Sequence, residues 1–176
     1  MEMYTPEVLI SEDEIALRVQ DLGHQITKDY ANEDLVVICV LKGAFMFCCD
    51  LIKRVNLPIR LEFVSVSSYG DAMVSSGELK MDLDITGSVE GKNVLIVEDI
   101  VDTGLTISEL ERHVLAKKPK TLKVASLLFK PEKLKYNAKV DYLAFEIEDK
   151  FVIGYGLDYA GRYRELPYIG ILNAGH

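Results

Sequence analysis

Two apolar runs rich in β-branched residues most constrain the fold of this chain: LVVICV at residues 35–40 and VLIV at residues 94–97. Strands that are buried on both faces of a parallel sheet have this composition, whereas half-exposed strands alternate apolar and polar side chains. A helical pattern follows each run, in AFMFCCDLIKRV and in TISELERHVLAKK. Because parallel strands need a crossover, usually a helix, this order predicts an α/β fold whose central, mainly parallel, twisted sheet is flanked by helices.

The remaining elements are predicted from capping and periodicity. Ser11 to Glu14 has the S-x-x-E form of a capping box, which predicts a helix over about residues 12–30. IRLEFVSVSS alternates as a half-exposed strand does, and TLKVASLLFK, VDYLAFEI and YIGIL predict further strands. The segment YGDAMVSSGELKMD is rich in residues that strands and helices disfavour, so a mobile flap is predicted at about residues 68–80.

Composition limits the class of protein. The 176 residues, 49% of them hydrophobic, predict one domain over residues 1–176. A formal net charge of −8 argues against a broad nucleic-acid or membrane-binding face, since phosphate binding needs clustered basic side chains. Cys39, Cys48 and Cys49 lie in apolar surroundings and are predicted to be core thiols of a reducing compartment. Without a signal-peptide pattern or a long apolar run, the expectation is a cytoplasmic protein.

The stretch VLIVEDIVDTGLT, residues 94–106, brings three carboxylates, Glu98, Asp99 and Asp102, together after a buried strand. Like charges at this spacing repel each other unless a cation, hydroxyl groups or a proton lies between them. The next residues, Thr103 to Thr106, lead into a helix whose N-terminal N–H groups can bind a phosphate. A sugar phosphate, bound together with a metal ion, fits both halves of the motif.

The same stretch resembles the phosphoribosyl pyrophosphate motif of type I phosphoribosyltransferases, in which an apolar strand, an acidic pair and D-T-G-x-T follow one another. LKGAF resembles the pyrophosphate loop of that family, and SSYGD resembles the start of its flap. LLFKPEK and FEIEDKFVIGYGLDYAGRYRELPYIGIL resemble segments of the 6-oxopurine branch. The resemblance implies the type I phosphoribosyltransferase fold, with a small hood formed by about residues 1–11 and 150–176.

The activity that the resemblance implies is purine salvage. Hypoxanthine or guanine would displace pyrophosphate from phosphoribosyl pyrophosphate with the help of Mg²⁺, giving IMP or GMP. In this family, Glu98 and Asp99 would hold the ribose hydroxyls and Mg²⁺, and Asp102 would accept the purine proton. The 5′-phosphate would bind at the turn formed by Thr103, Gly104, Leu105 and Thr106.

The resemblance also implies residues for the leaving group and for the purine. Lys42, Gly43 and Arg164 would bind pyrophosphate, Asp158 would act through a second Mg²⁺, and Ser68 and Tyr69 would close over the site to exclude water. Lys130 would donate to the 6-oxo group, Phe151 would stack on the ring, and the Val152 carbonyl would contact the edge that carries the amino group of guanine. Because adenine has a donor where Lys130 needs an acceptor, adenine should be rejected.

Alternatives remain open from the sequence. A xanthine-preferring phosphoribosyltransferase would share the chemistry and differ in its contacts to the base. An RNA-binding regulator with the same fold would need a basic face, which the acidic balance opposes. A response-regulator receiver would place its acidic strand near the N terminus and has no Thr-Gly-x-Thr turn. The resemblance further implies a homo-oligomer, either a dimer or a homotetramer, with the apolar segment AFMFCCDLI near the interface.

Overall fold

A computed structural model describes residues 5–68 and 79–173 of the chain. Nine strands, three α-helices and one short 3-10 helix make up this part of the chain. In chain order they are β1 (Glu7–Ile10), α1 (Glu12–Asp29), β2 (Leu35–Leu41), α2 (Phe45–Ile52), β3 (Ile59–Ser68), β4 (Leu79–Leu83), β5 (Asn93–Val101), α3 (Leu105–Leu115), β6 (Thr121–Phe129), the 3-10 turn Pro131–Lys133, β7 (Tyr142–Glu146), β8 (Val152–Ile153) and β9 (Ile169–Ile171).

The central sheet has six strands in the order β4-β3-β2-β5-β6-β7. The neighbouring strands β3, β2, β5, β6 and β7 pair in parallel. Strand β4 pairs antiparallel with β3 at one edge. The predicted α/β fold is confirmed, and β4 makes the sheet mixed. Leu79–Leu83, which the sequence assigned to the end of the flap, forms this edge strand because it finds a partner in β3.

Both faces of the sheet are buried, as the two apolar runs predicted. Along β2, Val37 and Cys39 pack in the core on the side of α1 and α2. Val36 and Ile38 pack in a second core, which includes the buried face of α3. Because successive side chains of a strand point to opposite faces, a central strand covered on both sides has to be apolar throughout.

Helix α1 begins at the capping box that the sequence predicted. The Glu14 N–H donates to Ser11 Oγ, and the Ser11 N–H donates to Glu14 Oε2 at 2.8 Å. One side of the helix packs into the core, and Arg18 reaches β7, where it donates to the carbonyls of Leu143 and Ala144. Helix α1 is thereby fixed against the far edge of the sheet.

A second, three-stranded sheet joins the two ends of the chain in the order β1-β9-β8. Glu7 pairs with Ile171, and Val152 pairs with Ile171 from the other side. The hood expected from the N- and C-terminal segments is therefore present as an antiparallel sheet. Within the described ranges, no helix is long and apolar enough to cross a membrane.

The cysteines only partly follow the prediction. Cys39 and Cys48 are buried free thiols, whereas Cys49 is exposed, so its assignment to the core is wrong. Consecutive residues of a helix point about 100° apart, so only one of Cys48 and Cys49 can face the sheet.

Candidate active site

A cleft of about 360 Å³ lies at the carboxyl ends of β2 and β5. Open α/β sheets bind their ligands at this end of the strands. Residues from four separate parts of the chain line the cleft: Val40–Gly43, Val66, Glu98–Ile107, and the segment that contains Asp158 and Arg164. The structure thus brings together eleven predicted site residues, namely Lys42, Gly43, Glu98, Asp99, Asp102, Thr103, Gly104, Leu105, Thr106, Asp158 and Arg164.

Gly43 lies directly against the acidic pair. A Cβ atom at this position would be 1.7 Å from Asp99 Oδ2, so only glycine fits beside this carboxylate. Behind Gly43, a Cβ atom on Gly156 would be 2.1 Å from the Gly43 carbonyl oxygen. Three chain segments are therefore stacked with no side chain between them, and the Leu41–Lys42 peptide that enters this stack is cis.

Glu98 and Asp99 are held by the backbone of their own strand. The Asp99 N–H donates to Glu98 Oε1 at 3.0 Å, and the Ile100 N–H donates to Asp99 Oδ1 at 2.7 Å. Glu98 is only 5% exposed. Burial, followed by the negative charge of Asp99, raises the pKa of Glu98 well above its usual value. A ligand that brings a cation or hydroxyl donors would relieve both effects.

Asp102 has a carboxylate oxygen that the protein does not satisfy. Its Oδ1 atom is buried and has no hydrogen-bond partner among the described residues. An unpaired buried acceptor costs about 1–3 kcal/mol, more when it is charged. Since Asp102 lines the cleft beside the turn into α3, the carboxylate that the protein leaves unsatisfied belongs to this cleft.

The turn from Asp102 into α3 depends on Gly104. Gly104 has φ 88°, which glycine adopts readily, and a Cβ atom there would lie 2.9 Å from the side chains of Leu134 and Ala138. The preceding Thr103 carbonyl accepts the N–H groups of Lys135 and Tyr136, at 2.9 and 3.0 Å. The turn is thus fixed from behind, while the first N–H groups of α3, which have no partner within the helix, line the cleft.

Two further residues that line the cleft, Asp158 and Arg164, form an ion pair. Arg164 Nη2 lies 3.3 Å from Asp158 Oδ1, and Arg164 Nη1 donates to the Gly156 carbonyl at 2.6 Å. The Gly161 N–H donates to the other oxygen of Asp158 at 2.9 Å. Arg164 is therefore held in place by two contacts and can present its remaining N–H groups to an anion.

The cleft can hold Mg²⁺ only together with a ligand. Within residues 5–68 and 79–173, no group of three His, Cys, Asp or Glu side chains could hold a metal ion alone. Glu98, Asp99 and Asp158 all line the cleft. Mg²⁺ is usually bound through one or two carboxylates, with substrate phosphates and water as the remaining ligands, and this donor set fits that pattern.

The three residues predicted to contact the purine lie outside the lining of the cleft. Lys130 is nevertheless tied to its rim, since its N–H donates to the Val101 carbonyl at 3.0 Å. Phe151 is 54% exposed and meets Tyr159 edge to face at 5.8 Å. Val152 is buried in β8. A base would therefore bind at the edge of the cleft rather than in its centre.

The flap residues are the least described part of the site. Ser68 is the last residue of β3, and Tyr69 lies outside the described residues. Two features of the site were missed from the sequence, namely the packing of Gly156 against Gly43 and the contact between Asp149 and Lys130. The sequence GYG at residues 154–156 could have indicated the packing of Gly156 against Gly43. No sequence pattern indicates the contact between Asp149 and Lys130.

Comparison with known proteins agrees with this geometry. A model of the phosphoribosyl transferase domain matches residues 10–160 of the chain. The chain is also 49% identical over 166 residues to the hypoxanthine-guanine phosphoribosyltransferase of Bacillus subtilis, a match that covers 94% of this chain and 92% of the relative. The chain belongs to the phosphoribosyltransferase family. This phosphoribosyltransferase is similarly related, at 48% identity, to the hypoxanthine-guanine phosphoribosyltransferase of Dictyostelium discoideum, with 94% of each chain covered.

Solved structures lead to the same group. A crystal structure of a hypoxanthine-guanine phosphoribosyltransferase from Bacillus anthracis matches with a TM-score of 0.92 and 42% identity, covering 98% of this chain and all of the other. The fold, the transferase class and the family that the motifs predicted are thereby confirmed. The individual roles of the site residues in this phosphoribosyltransferase stay predictions.

Proposed function

We propose that this enzyme transfers the 5-phosphoribosyl group of phosphoribosyl pyrophosphate to hypoxanthine or guanine, giving IMP or GMP and pyrophosphate. The observation that carries the proposal is the unsatisfied Asp102 Oδ1, buried beside the N terminus of α3 and the acidic pair. A proton acceptor, an anion site and two carboxylates in one cleft suit a base that attacks a sugar phosphate. The names of the relatives point to the same substrates.

Binding of the phosphoribosyl group uses the two ends of the β5 motif. The N–H groups and hydroxyls of Thr103–Thr106 hold the 5′-phosphate at the positive end of α3. Glu98 and Asp99 accept hydrogen bonds from the ribose hydroxyls, which replaces the unfavourable interaction between the two carboxylates with favourable ones. The anomeric carbon then lies between Asp102 and the opposite wall of the cleft.

The chemical step exchanges one bond at the anomeric carbon for another. The bond from this carbon to the pyrophosphate oxygen breaks, and a purine ring nitrogen forms a new bond to the carbon. The proton of that nitrogen goes to Asp102, which lines the cleft and has an oxygen without a protein partner. The carboxylates of the cleft stabilise the positive charge that develops on the ribose as the first bond breaks.

The leaving pyrophosphate is bound by the loop after β2 and by the opposite wall. Arg164 donates to it, Lys42 supplies a second positive charge, and the Gly43 segment lets the pyrophosphate approach the main chain. Glu98 and Asp99 would hold Mg²⁺ and Asp158 a second ion, and the metal would neutralise charge on the departing group. Ser68 and Tyr69 begin the segment that would cover the reacting atoms and exclude water.

We assign the selection of the base to three residues at the rim of the cleft. Lys130 donates to the 6-oxo group, Phe151 stacks on the ring, and the Val152 carbonyl accepts the amino group of guanine. We further propose that the enzyme acts in the cytoplasm, consistent with its buried free thiols Cys39 and Cys48. A homo-oligomer, either a dimer or a tetramer, is supported by α2, whose Phe45 is exposed; light scattering that gave the mass of a monomer would contradict this.

The deciding experiment measures pyrophosphate release from phosphoribosyl pyrophosphate and Mg²⁺, with hypoxanthine, guanine, xanthine, adenine and uracil supplied in parallel. Release with hypoxanthine and guanine alone is expected. Strongest release with xanthine would reassign the enzyme to the xanthine-preferring group. If no base gave release, the proposal would fail and RNA binding would be the next assay.

The role of Asp102 has its own test. Asp102→Asn preserves the shape of the side chain and removes the proton acceptor, so kcat should fall about 100-fold or more. Lys130→Ala should instead reduce the preference for hypoxanthine over adenine. A variant at residue 102 that folds and turns over at nearly the wild-type rate would rule out the proton transfer assigned to this carboxylate.

A further inference from the structure

We propose that Asp149 is a positioning residue that orients the Lys130 ammonium toward the 6-oxo group of the base and thereby sets the preference for 6-oxopurines. This inference rests on the proposed function and assigns it a residue that does not itself contact the base. Asp149 lies in the loop between β7 and β8, while Lys130 follows β6.

Lys130 is a cation with almost no access to solvent. Its side chain is 8% exposed, and its Nζ atom lies 3.4 Å from Asp149 Oδ1. Among the described residues, Asp149 is the one hydrogen-bond partner of this ammonium. An ammonium has three donors, so this contact leaves two of them for a ligand. A buried cation with one anionic partner and unused donors is suited to receiving a polar group of a substrate.

Asp149 is shared between two lysines. The same oxygen, Oδ1, lies 3.4 Å from the Nζ atom of Lys133, whose side chain is 42% exposed. Both distances exceed the 2.7–2.9 Å that is typical of charge-assisted hydrogen bonds. Asp149 therefore holds the Lys130 ammonium by charge while leaving it room to move toward a carbonyl oxygen.

The loop that carries Asp149 is fixed at the end of β6. The Ile147 N–H donates to the Phe129 carbonyl at 2.9 Å, next to Lys130 in the chain. Two residues beyond Asp149 is Phe151, and Val152 follows it. One short loop thus positions the lysine through Asp149 and carries both other residues assigned to the base.

The test compares Asp149→Asn with a control in the same loop, Glu148→Gln. Glu148 pairs with Lys150 at 3.4 Å and is 78% exposed, so its change also removes one carboxylate and one ion pair. For Asp149→Asn, KM for hypoxanthine should rise about tenfold, equivalent to ~1.4 kcal/mol, while KM for phosphoribosyl pyrophosphate stays within about twofold. Asp149→Glu should recover most of the loss, and Glu148→Gln should resemble the wild type.

A double variant shows whether Asp149 acts through Lys130. In the Lys130→Ala background, Asp149→Asn should have no further effect on KM for hypoxanthine, because the group that it positions is absent. Additive effects would overturn the inference, since they would mean that Asp149 acts independently of the lysine.

Failure of the inference can be separated from failure of the proposed function. If the wild type releases no pyrophosphate with hypoxanthine, the proposed function is wrong. If the wild type is active and Asp149→Asn has an unchanged KM for hypoxanthine, only the role of Asp149 is wrong. An equal rise in KM for both substrates, with a lower melting temperature, would show a structural role and would also overturn the inference.

Discussion

Gly43 and Asp99 show how closely single residues determine this cleft. The carboxylate occupies the space that a side chain at residue 43 would need, and Gly156 is packed just as closely from behind. Glu98 beside them is buried without a countercharge, which leaves it poorly stabilised in the free protein. The residues that would meet the substrate thus lower the stability of the free protein, and binding of the substrate would relieve this cost.

Gly43→Ala should abolish activity, because the new Cβ would overlap Asp99 Oδ2 and displace the carboxylate. The expected loss in kcat/KM is at least about 100-fold, as a misplacement of about 1 Å can have that effect. Gly91→Ala is the matched control: it has φ 67° and no neighbouring atom within 4 Å, so it should reduce stability by only about 1 kcal/mol. Steady-state kinetics on both folded variants provides the measurement, and an active Gly43→Ala enzyme would contradict the close contact.

Glu98→Gln should stabilise the free enzyme and weaken its binding of phosphoribosyl pyrophosphate. The pKa of Glu98 is raised, so ionisation destabilises the fold increasingly as pH rises above the usual value of about 4.3. Urea unfolding should show a gain in stability that is larger at pH 8 than at pH 5, because the ionisation that destabilises the fold is more favoured at the higher pH. The exposed Glu90→Gln should show no such trend, and an equal gain at both pH values would contradict the burial of a charge.

The sequence predicted most of the residues of the site, because the family motifs lie at strand ends and parallel strands end at the same edge of the sheet. It did not predict that Lys130, Phe151 and Val152 lie outside the lining of the main cleft. Nor did it indicate Asp149, since no local pattern reports a contact formed between two loops.

At the scale of elements, a hydrogen bond connects α3 with the residue that follows edge strand β4. His113 near the end of α3 is hydrogen-bonded through Nε2 to Asp84, at 2.9 Å from Oδ1, just after β4. Burial opposes ionisation of Asp84, but its bonds with His113 and the Ile85 N–H lower the pKa of this carboxyl overall. The edge strand is thus attached to the helix whose other end is assigned to the 5′-phosphate.

Asp84→Asn should therefore reduce stability in a pH-dependent way. A carboxylate with a lowered pKa stabilises the fold above its unfolded pKa, near 3.9, and loses this effect as pH falls through its folded pKa. The variant should be less stable than wild type by about 0.5 kcal/mol at pH 6, allowing for solvent screening, and the difference should vanish below about pH 3. Asp21→Asn, an exposed change on α1, should show no pH-dependent difference in urea titrations; a constant difference for Asp84→Asn would refute the linkage.

The long elements followed from local patterns, whereas three of the short ones did not. Helix α1 begins and ends within one residue of its prediction because its capping box and apolar face are both local signals. Strands β1, β4 and β8 were missed because two to five residues carry little periodicity, and each is a strand only through its pairing with another strand.

On the scale of the whole molecule, the central sheet positions most of the cleft, and the hood carries Phe151 and Val152, two of the three residues predicted to contact the purine. Asp158 and Arg164 belong to the C-terminal segment, yet they line the cleft opposite β5. The substrate would therefore contact both parts of the chain at once, so binding and stability should be coupled.

Phosphoribosyl pyrophosphate with Mg²⁺ should raise the melting temperature strongly. At 100 times its dissociation constant, a ligand adds ~2.7 kcal/mol to the free energy of unfolding. Removing Mg²⁺ with a chelator should abolish most of the increase, because Glu98 and Asp99 would then meet the phosphates without a cation. Thermal scans of wild type and Asp99→Asn measure this, and an equal shift with and without the chelator would rule out metal-assisted binding.

The pairing of β1 with β9 has a consequence for how the enzyme is made. Glu7 is translated long before its partner Ile171. At ~5–20 residues per second, β1 waits roughly 10 to 30 s before it can pair. A nascent chain can therefore assemble much of its central sheet before β9 is made, while the three-stranded sheet is completed only after Ile171 has been translated.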